Sequence, residues 1–334
     1  MPATAEAVQA VETAATADAT APASPAEAAQ TASGFPVTVK DGAGREMTFE
    51  KPPERVVALY NDSFGLLATI GVKPVAVLAN DEMLSDPIYF DGTGKDLPQI
   101  RYGDSVNLED IAAARPDLIF AYSEDEAKSM AGIAPVFVNY GANSLEEVIT
   151  ATRAYGQIFG KQDEAEATIK SFNDRLSAYV ARAPRDISVM KLGASGTNKF
   201  DIVTVNDPIC QILNQVARCD YKDPKGETAY WSYEASIETV LAANPDVILL
   251  NNWWGEGTLS DAELLKKMEE LPLWGEINAV KNNRVLMPME GYSNPIASSL
   301  PAAQKFLDVY MPALYPQVFP QALTDEQVKE ILSQ

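Results

Sequence analysis

The sequence predicts an α/β protein of two doubly wound lobes joined by a single long helix, with a ligand cleft between them. Three observations carry this. Residues 107–121 read NLEDIAAARPDLIFA and residues 236–250 read SIETVLAANPDVILL, so one helix-turn-strand unit occurs twice. Short apolar runs without alternation, as expected of strands buried on both faces of a parallel sheet, recur between helical patterns. A long amphipathic helical pattern separates the two copies. Two similar lobes make a cleft, and a cleft points first to binding.

Each element has a local cause. In the repeated unit, Asn107 and Ser236 are placed to N-cap a helix, and Glu109 and Glu238 sit in its positive first turn. Pro116 and Pro245 stop the helices because proline has no backbone N–H to donate. Residues 35–50 alternate around Asp-Gly-Ala-Gly, which predicts a β-hairpin. Residues 56–59 and 75–78 read as strands flanking a short helix over 64–70. Residues 80–100 read as a long loop. After the first unit come a loop over 122–125 and a strand over 136–138.

Residues 144–182 are helical in pattern, with a break at Gly160. Ala165, Ile169, Phe172, Leu176 and Tyr179 keep a three-four spacing. This longer helix, of about 20 residues, spans roughly 30 Å, enough to connect two lobes. The pattern then restarts: a strand over 187–194, a loop, a helix from about Pro208, a loop through Lys225, and the second unit. The loop NNWWGEG, a helix with Leu264, Leu265 and Met268, a strand over 284–287, the loop MEGYSNP and a helix over 297–309 follow. The predicted organisation is a tether over 1–34, a lobe over 35–150, the connecting helix over 151–185, and a lobe over 186–334.

Composition excludes several functions. The 334 residues suffice for two cores, and 46% are hydrophobic. A net charge of −21, from 26 basic and 47 acidic residues, argues against nucleic acid and against an anionic bilayer as direct partner. There is no histidine, so a Ser-His-Asp triad, a His-ligated zinc and a His-held haem are ruled out. No Walker, Rossmann or nucleophile-elbow pattern is present. Cys210 and Cys219 are too few for a cysteine-rich metal site. In one continuous helix their Cα atoms would lie roughly 13 Å apart, too far for a disulfide. A bridge therefore requires the helix to end before Arg218, and the spacing leaves both outcomes open. No run of about 20 apolar residues offers a membrane span. Residues 1–34, rich in Ala, Thr, Glu, Pro and Ser and free of Lys, Arg and aromatics, read as a tether. Such a segment separates an exported domain from a lipid anchor or cleaved leader.

Taken together, KPPERVVAL after the hairpin, GVKPVAV, NLEDIAAARPDLIF and SIETVLAANPDVILL resemble the periplasmic-binding-protein family that serves iron-siderophore, haem and cobalamin ABC importers. The resemblance covers residues 36–331. No single motif is diagnostic; their order and spacing are. It implies two α/β lobes on one long helix, little hinge closure, and delivery of ligand to a membrane permease. It also implies that one glutamate on each lobe, here Glu109 and Glu238, docks with permease arginines. Helix-dipole stabilisation is the plainer reading of both.

Ligands of open α/β sheets bind beyond the carboxyl ends of the strands. That rule selects Tyr60, Asn61 and Asp62, then Tyr122, then Trp253 and Trp254, then Tyr292. Arg101 and Tyr102 precede the first unit, and Trp231 and Tyr233 the second. The pool is rich in Tyr and Trp, which give contact area at low entropic cost. The resemblance implies that Tyr292 occupies a position able to coordinate iron, and Tyr233 one where some relatives place a ligating His. Arg101 is placed to pair with an anionic ligand or with Asp104. Few basic residues stand near these loops, so a neutral or cationic ligand suits them better than a tricatecholate. The expectation is an extracytoplasmic, monomeric solute-binding protein, not an enzyme. It holds no cofactor, carries a ferric siderophore with hydroxamate favoured, and is periplasmic or cell-surface. Cobalamin or another metal chelate, direct metal-ion capture and, last, an enzyme are the alternatives.

Overall fold

The run Val56–Leu59 is buried along its whole length, and its residues alternate between two cores. Val56 and Ala58 face one that includes Phe64, Phe120 and Tyr155; Val57 and Leu59 face another that includes Ile111, Ile119 and Val138. The missing alternation in the sequence thus has its expected cause, since both faces of the sheet are covered. The computed structural model describes residues 34–140, 144–194, 199–226, 232–252, 259–287 and 299–334. The tether over 1–34 lies almost wholly outside the described residues.

The first lobe opens with the hairpin β1 (Val37–Lys40) and β2 (Glu46–Phe49). Then come β3 (Val56–Leu59), α1 (Tyr60–Thr69), β4 (Ala76–Leu78) and α2 (Asp81–Ser85). A 3-10 helix (Phe90–Asp96), α3 (Leu108–Ala113), β5 (Leu118–Ala121), α4 (Glu124–Met130) and β6 (Val136–Val138) complete it. Its sheet, ordered β4-β3-β5-β6, is parallel throughout. Two expectations need correction. The loop over 80–100 contains α2 and the 3-10 helix, and α2 starts where Asn80 accepts the Met83 amide. The helix expected from 64 begins at Tyr60, because the chain passes from β3 into α1 without a loop.

Helix α5 (Leu145–Phe159) ends at Gly160, whose φ of 63° is a left-handed cap that glycine adopts freely. Helix α6 (Gln162–Arg182) joins the lobes: Ala165 lies in the first lobe's core, and Ile169, Phe172, Leu176 and Tyr179 in the second's. The predicted stripe is therefore buried, but across two cores rather than one. Helix α5 runs beside it in the opposite sense, with Val148 in the second core and Tyr155 and Phe159 in the first.

The second lobe contains β7 (Val189–Ala194), β8 (Lys199–Val203), α7 (Pro208–Val216), β9 (Ser232–Ser236), α8 (Ile237–Ala243) and β10 (Val247–Asn252). After them come α9 (Asp261–Glu269), a 3-10 helix (Trp274–Glu276), α10 (Asn278–Lys281), β11 (Val285–Leu286), α11 (Leu300–Leu314) and α12 (Asp325–Leu332). The sheet order is β11-β10-β7-β8-β9, with β8 antiparallel to both neighbours. A purely parallel sheet was the natural expectation. The short link from β7 to β8 forbids it, because parallel neighbours need a crossover of a dozen or more residues. Strands β8 and β9 and helix α12 escaped the sequence reading.

Helix α7 stops at Val216, and the chain turns so that Cys210 and Cys219 form a buried disulfide with a Cα separation of 5.1 Å. Asn214 fixes the turn by accepting the Cys219 amide at 2.6 Å and donating to its carbonyl at 3.0 Å. On α6, the Arg175 guanidinium donates to Asp308 at 2.9 Å, to the Leu323 carbonyl at 2.6 Å and to Asp325, tying α11 and α12 to the connecting helix. Helix α11 also reaches the first lobe, through Lys305 to Asp86 at 3.4 Å and the Ser299 hydroxyl to that of Tyr89 at 3.3 Å.

Candidate functional site

The repeated units fold alike. Arg115 and Asn244, each just before proline, take left-handed φ values of 47° and 43° and end their helices. Asp117 then accepts the Glu54 and Arg55 amides at 2.8 and 2.9 Å, and Asp246 accepts the Ser188 amide and hydroxyl, both at 2.8 Å. In each lobe the aspartate thus locks the entry of the neighbouring central strand. Glu109 and Glu238 are exposed, each the second residue of its helix. Asn107 caps α3 as expected, accepting the Asp110 amide at 2.9 Å. Ser236 does not cap α8: its hydroxyl bonds the Glu238 carboxylate instead, which helps hold that carboxyl below its usual range.

At the carboxyl ends of β3, β4 and β5 the chain lines a cavity of about 490 Å³. Tyr60, Asn61 and Asp62 enter it from the first turn of α1, and Tyr122 from the end of β5. Leu78, Ala79, Asn80 and Tyr102 supply the rest of the lining. Tyr60 has a φ of 72°, a left-handed conformation that costs an aromatic residue about 1–3 kcal/mol and is tolerated where surrounding contacts enforce it. Those contacts are visible. The Tyr60 phenol donates to one oxygen of Glu126, and the Tyr122 amide donates to the other at 2.9 Å. The Tyr60 and Tyr122 rings meet edge to face, with centroids 6.1 Å apart. Burial and the Glu126 carboxylate push the Tyr60 phenol well above its usual range.

Asp62 is half-buried and makes no hydrogen bond or ion pair among the described residues. Desolvation pushes its carboxyl up to about 7, the direction expected when water is removed from a charge without a compensating partner. Asn61 has a structural task as well, its side-chain oxygen accepting the Asn80 amide at 3.0 Å.

The remaining predicted residues fall elsewhere. Arg101 does not pair with Asp104. Its guanidinium grips Asp110 at 2.7 and 2.8 Å, holding that carboxyl down at about 2. Asp110 is the better partner because its helix also places it to accept the Arg101 amide. Arg101 lies in a neighbouring groove that includes Tyr102 and Glu109. Tyr233 is in β9, half-buried against the second lobe's core. Trp231, Trp253, Trp254 and Tyr292 lie outside the described residues. Among the described residues, no group of three or more acidic or cysteine side chains is placed to hold a metal ion.

Glu126 was missed, along with Leu78, Ala79 and Asn80. Ser123 followed three residues later by Glu126 is a helix-start signal, and Ser123 does accept the Glu126 amide at 3.3 Å. That pattern finds α4 but not the task of the Glu126 carboxylate, which depends on Tyr60.

The family model described as periplasmic binding protein matches residues 56–287. The chain belongs to this family. It is 26% identical over 281 residues to the ABC-transporter substrate-binding lipoprotein YvrC of Bacillus subtilis, covering 77% of this chain and 80% of that one. It is 25% identical to the Fe(3+) dicitrate-binding periplasmic protein FecB of Escherichia coli, over 75% of this chain and 81% of that protein. It is 24% identical to the iron(3+)-hydroxamate-binding protein FhuD of Bacillus subtilis, over 70% and 73%. Staphylococcus aureus SirA, solved with staphyloferrin B, superposes with a TM-score of 0.67 at 23% identity, over 83% of this chain and 98% of that structure. As a periplasmic binding protein the chain is a carrier of solute, not an enzyme.

Proposed function

We propose that this protein is the extracytoplasmic solute-binding component of an ABC importer, and that it captures a ferric siderophore, a hydroxamate in preference to a catecholate or carboxylate chelate. The observation that carries this is the cavity at the strand ends, where tyrosines surround an aspartate that, among the described residues, has no partner and no Lys or Arg beside it in the lining. A bulky chelate finds aromatic contact there, and a strongly anionic one finds no positive charge to offset its own. Arg101, the basic residue placed to meet an anionic ligand, is already engaged with Asp110. FhuD is a named hydroxamate binder in support. FecB is named with dicitrate, a carboxylate ligand whose charge suits this lining less well. Tyr233, Trp231, Trp253, Trp254 and Tyr292 form the second lobe's share of the ligand wall in this reading.

Handover places Glu109 and Glu238 against permease arginines. Their equivalent positions, one per lobe, and their exposure support it. Residues 1–34 serve as a tether to the membrane surface, in keeping with relatives named as lipoproteins. The test is a tryptophan-fluorescence titration against ferric hydroxamates, ferric tricatecholates, ferric citrate, cobalamin and bare Fe(III). Saturable quenching by hydroxamates supports the reading, and a response confined to bare metal or to cobalamin replaces it.

A further inference from the structure

Of two carboxylates at the first-lobe wall, Glu126 holds its tyrosines in place and Asp62 lines the cavity. Glu126 has both oxygens engaged, one by the Tyr60 phenol and one by the Tyr122 amide. Asp62 lines the same cavity with neither hydrogen bond nor ion pair among the described residues. Around it stand three tyrosines. Tyr102 and Tyr122 are 60% and 66% exposed, and the Tyr60 ring meets Tyr122 edge to face. Among the described residues, no cationic side chain lines the cavity. The nearby Arg101 is held by both oxygens of Asp110.

One carboxylate among aromatic rings suits a particular kind of cation. A hard metal ion takes six to eight oxygen ligands and gains little from a ring face. An organic ammonium needs one counter-ion, and it is attracted to aromatic faces within about 6 Å. We infer that the first-lobe wall is a receptor for an organic ammonium group, with Asp62 as counter-ion and the rings of Tyr60, Tyr102 and Tyr122 as the cation–π surface. The inference rests on the siderophore reading and narrows it: the cargo is a ferric hydroxamate that carries a protonated amine. The desolvation that pushes the Asp62 carboxyl up to about 7 in the free protein is offset when the ammonium arrives.

Calorimetric titration of the full chain at pH 8 tests this. The probes are a ferric linear trihydroxamate with a terminal primary amine and the same chelate with that amine acetylated. Acetylation removes the charge and leaves the iron shell unchanged. The amine form binds about tenfold tighter to the native protein, an advantage of the size that ion pairing and cation–π contact supply. Asp62→Asn brings the two affinities together, and Tyr102→Leu, at an exposed ring, narrows the gap in the same direction. Equal affinity of the native protein for both forms overturns this inference and leaves the hydroxamate reading standing. Binding of neither form overturns both.

Discussion

The Tyr60 phenol donates a hydrogen bond to Glu126, a residue on a different helix, and Glu126 uses its second oxygen to accept the Tyr122 amide. One carboxylate thus fixes both aromatic walls of the cavity and stabilises a left-handed backbone at Tyr60. Glu126→Ala removes the partner of a half-buried phenol and a backbone amide and lowers stability by about 1–2 kcal/mol. It also weakens ligand binding, because the Tyr60 ring is no longer held. Glu126→Gln keeps one acceptor oxygen, enough for the Tyr122 amide, while its amide nitrogen can only donate to the Tyr60 phenol oxygen, so it falls between. Urea denaturation and ligand titration of the two variants check this; an unchanged Glu126→Ala protein contradicts it.

Asp62 predicts a pH effect of the opposite kind. Its carboxyl is pushed up to about 7 in the folded chain from an ordinary value of 3.8. The folded state therefore binds the proton more tightly than the unfolded state, and ionisation of Asp62 opposes folding. The stability it contributes is fully present below pH 3.8, falls as the pH rises, and is lost above about 7. Asp62→Asn accordingly gains about 1–2 kcal/mol at pH 8, after discounting for solvent on its open side. The advantage shrinks towards pH 4. Urea unfolding of both proteins at pH 4.5 and 8 measures it, and equal stability at pH 8 contradicts it.

How far the sequence revealed these features depended on distance along the chain. Val56–Leu59 and residues 247–250 were legible because apolar residues face both sides of a central strand; Asn251 and Asn252, expected in the loop, extend the second strand. Tyr60, Asn61, Asp62 and Tyr122 were legible because ligands gather at strand ends, and the structure brings those four into one cavity. Lys199–Val203 was not, since its mixed polar and apolar residues form a strand only by pairing back on Val189–Ala194. The role of Glu126 was hidden for the same reason, as its partner lies 66 residues away. The Arg101 pairing turned on whether Asp104 or Asp110 came within reach, which needed the helix that Asn107 begins.

The buried disulfide between Cys210 and Cys219 closes a loop on the order of ten residues, and the loop-entropy account gives it about 2–3 kcal/mol. The Cys210→Ser, Cys219→Ser double variant should unfold at correspondingly lower urea concentration. The native protein treated with reductant should match it. Identical midpoints for native and double-variant protein contradict this contribution.

Glu109 and Glu238 sit on the surface and line none of the first-lobe cavity. Replacing both with alanine should leave ligand affinity within about twofold, as expected of surface positions away from the site, and abolish uptake in cells that depend on this carrier. Normal uptake by the double variant removes the docking role. Loss of ligand binding assigns the two residues to folding or to the cleft instead.

The charge of the cleft wall decides the cargo, and a direct competition measures it. The full chain is titrated in one buffer with a ferric trihydroxamate and with a ferric tricatecholate, following heat or tryptophan fluorescence. The cavity of three tyrosines and Asp62, which among the described residues holds no partner for Asp62 and no basic side chain, predicts saturable hydroxamate binding at least about tenfold tighter than the catecholate, a gap of about 1.4 kcal/mol. Tight tricatecholate binding with no response to hydroxamate would contradict it.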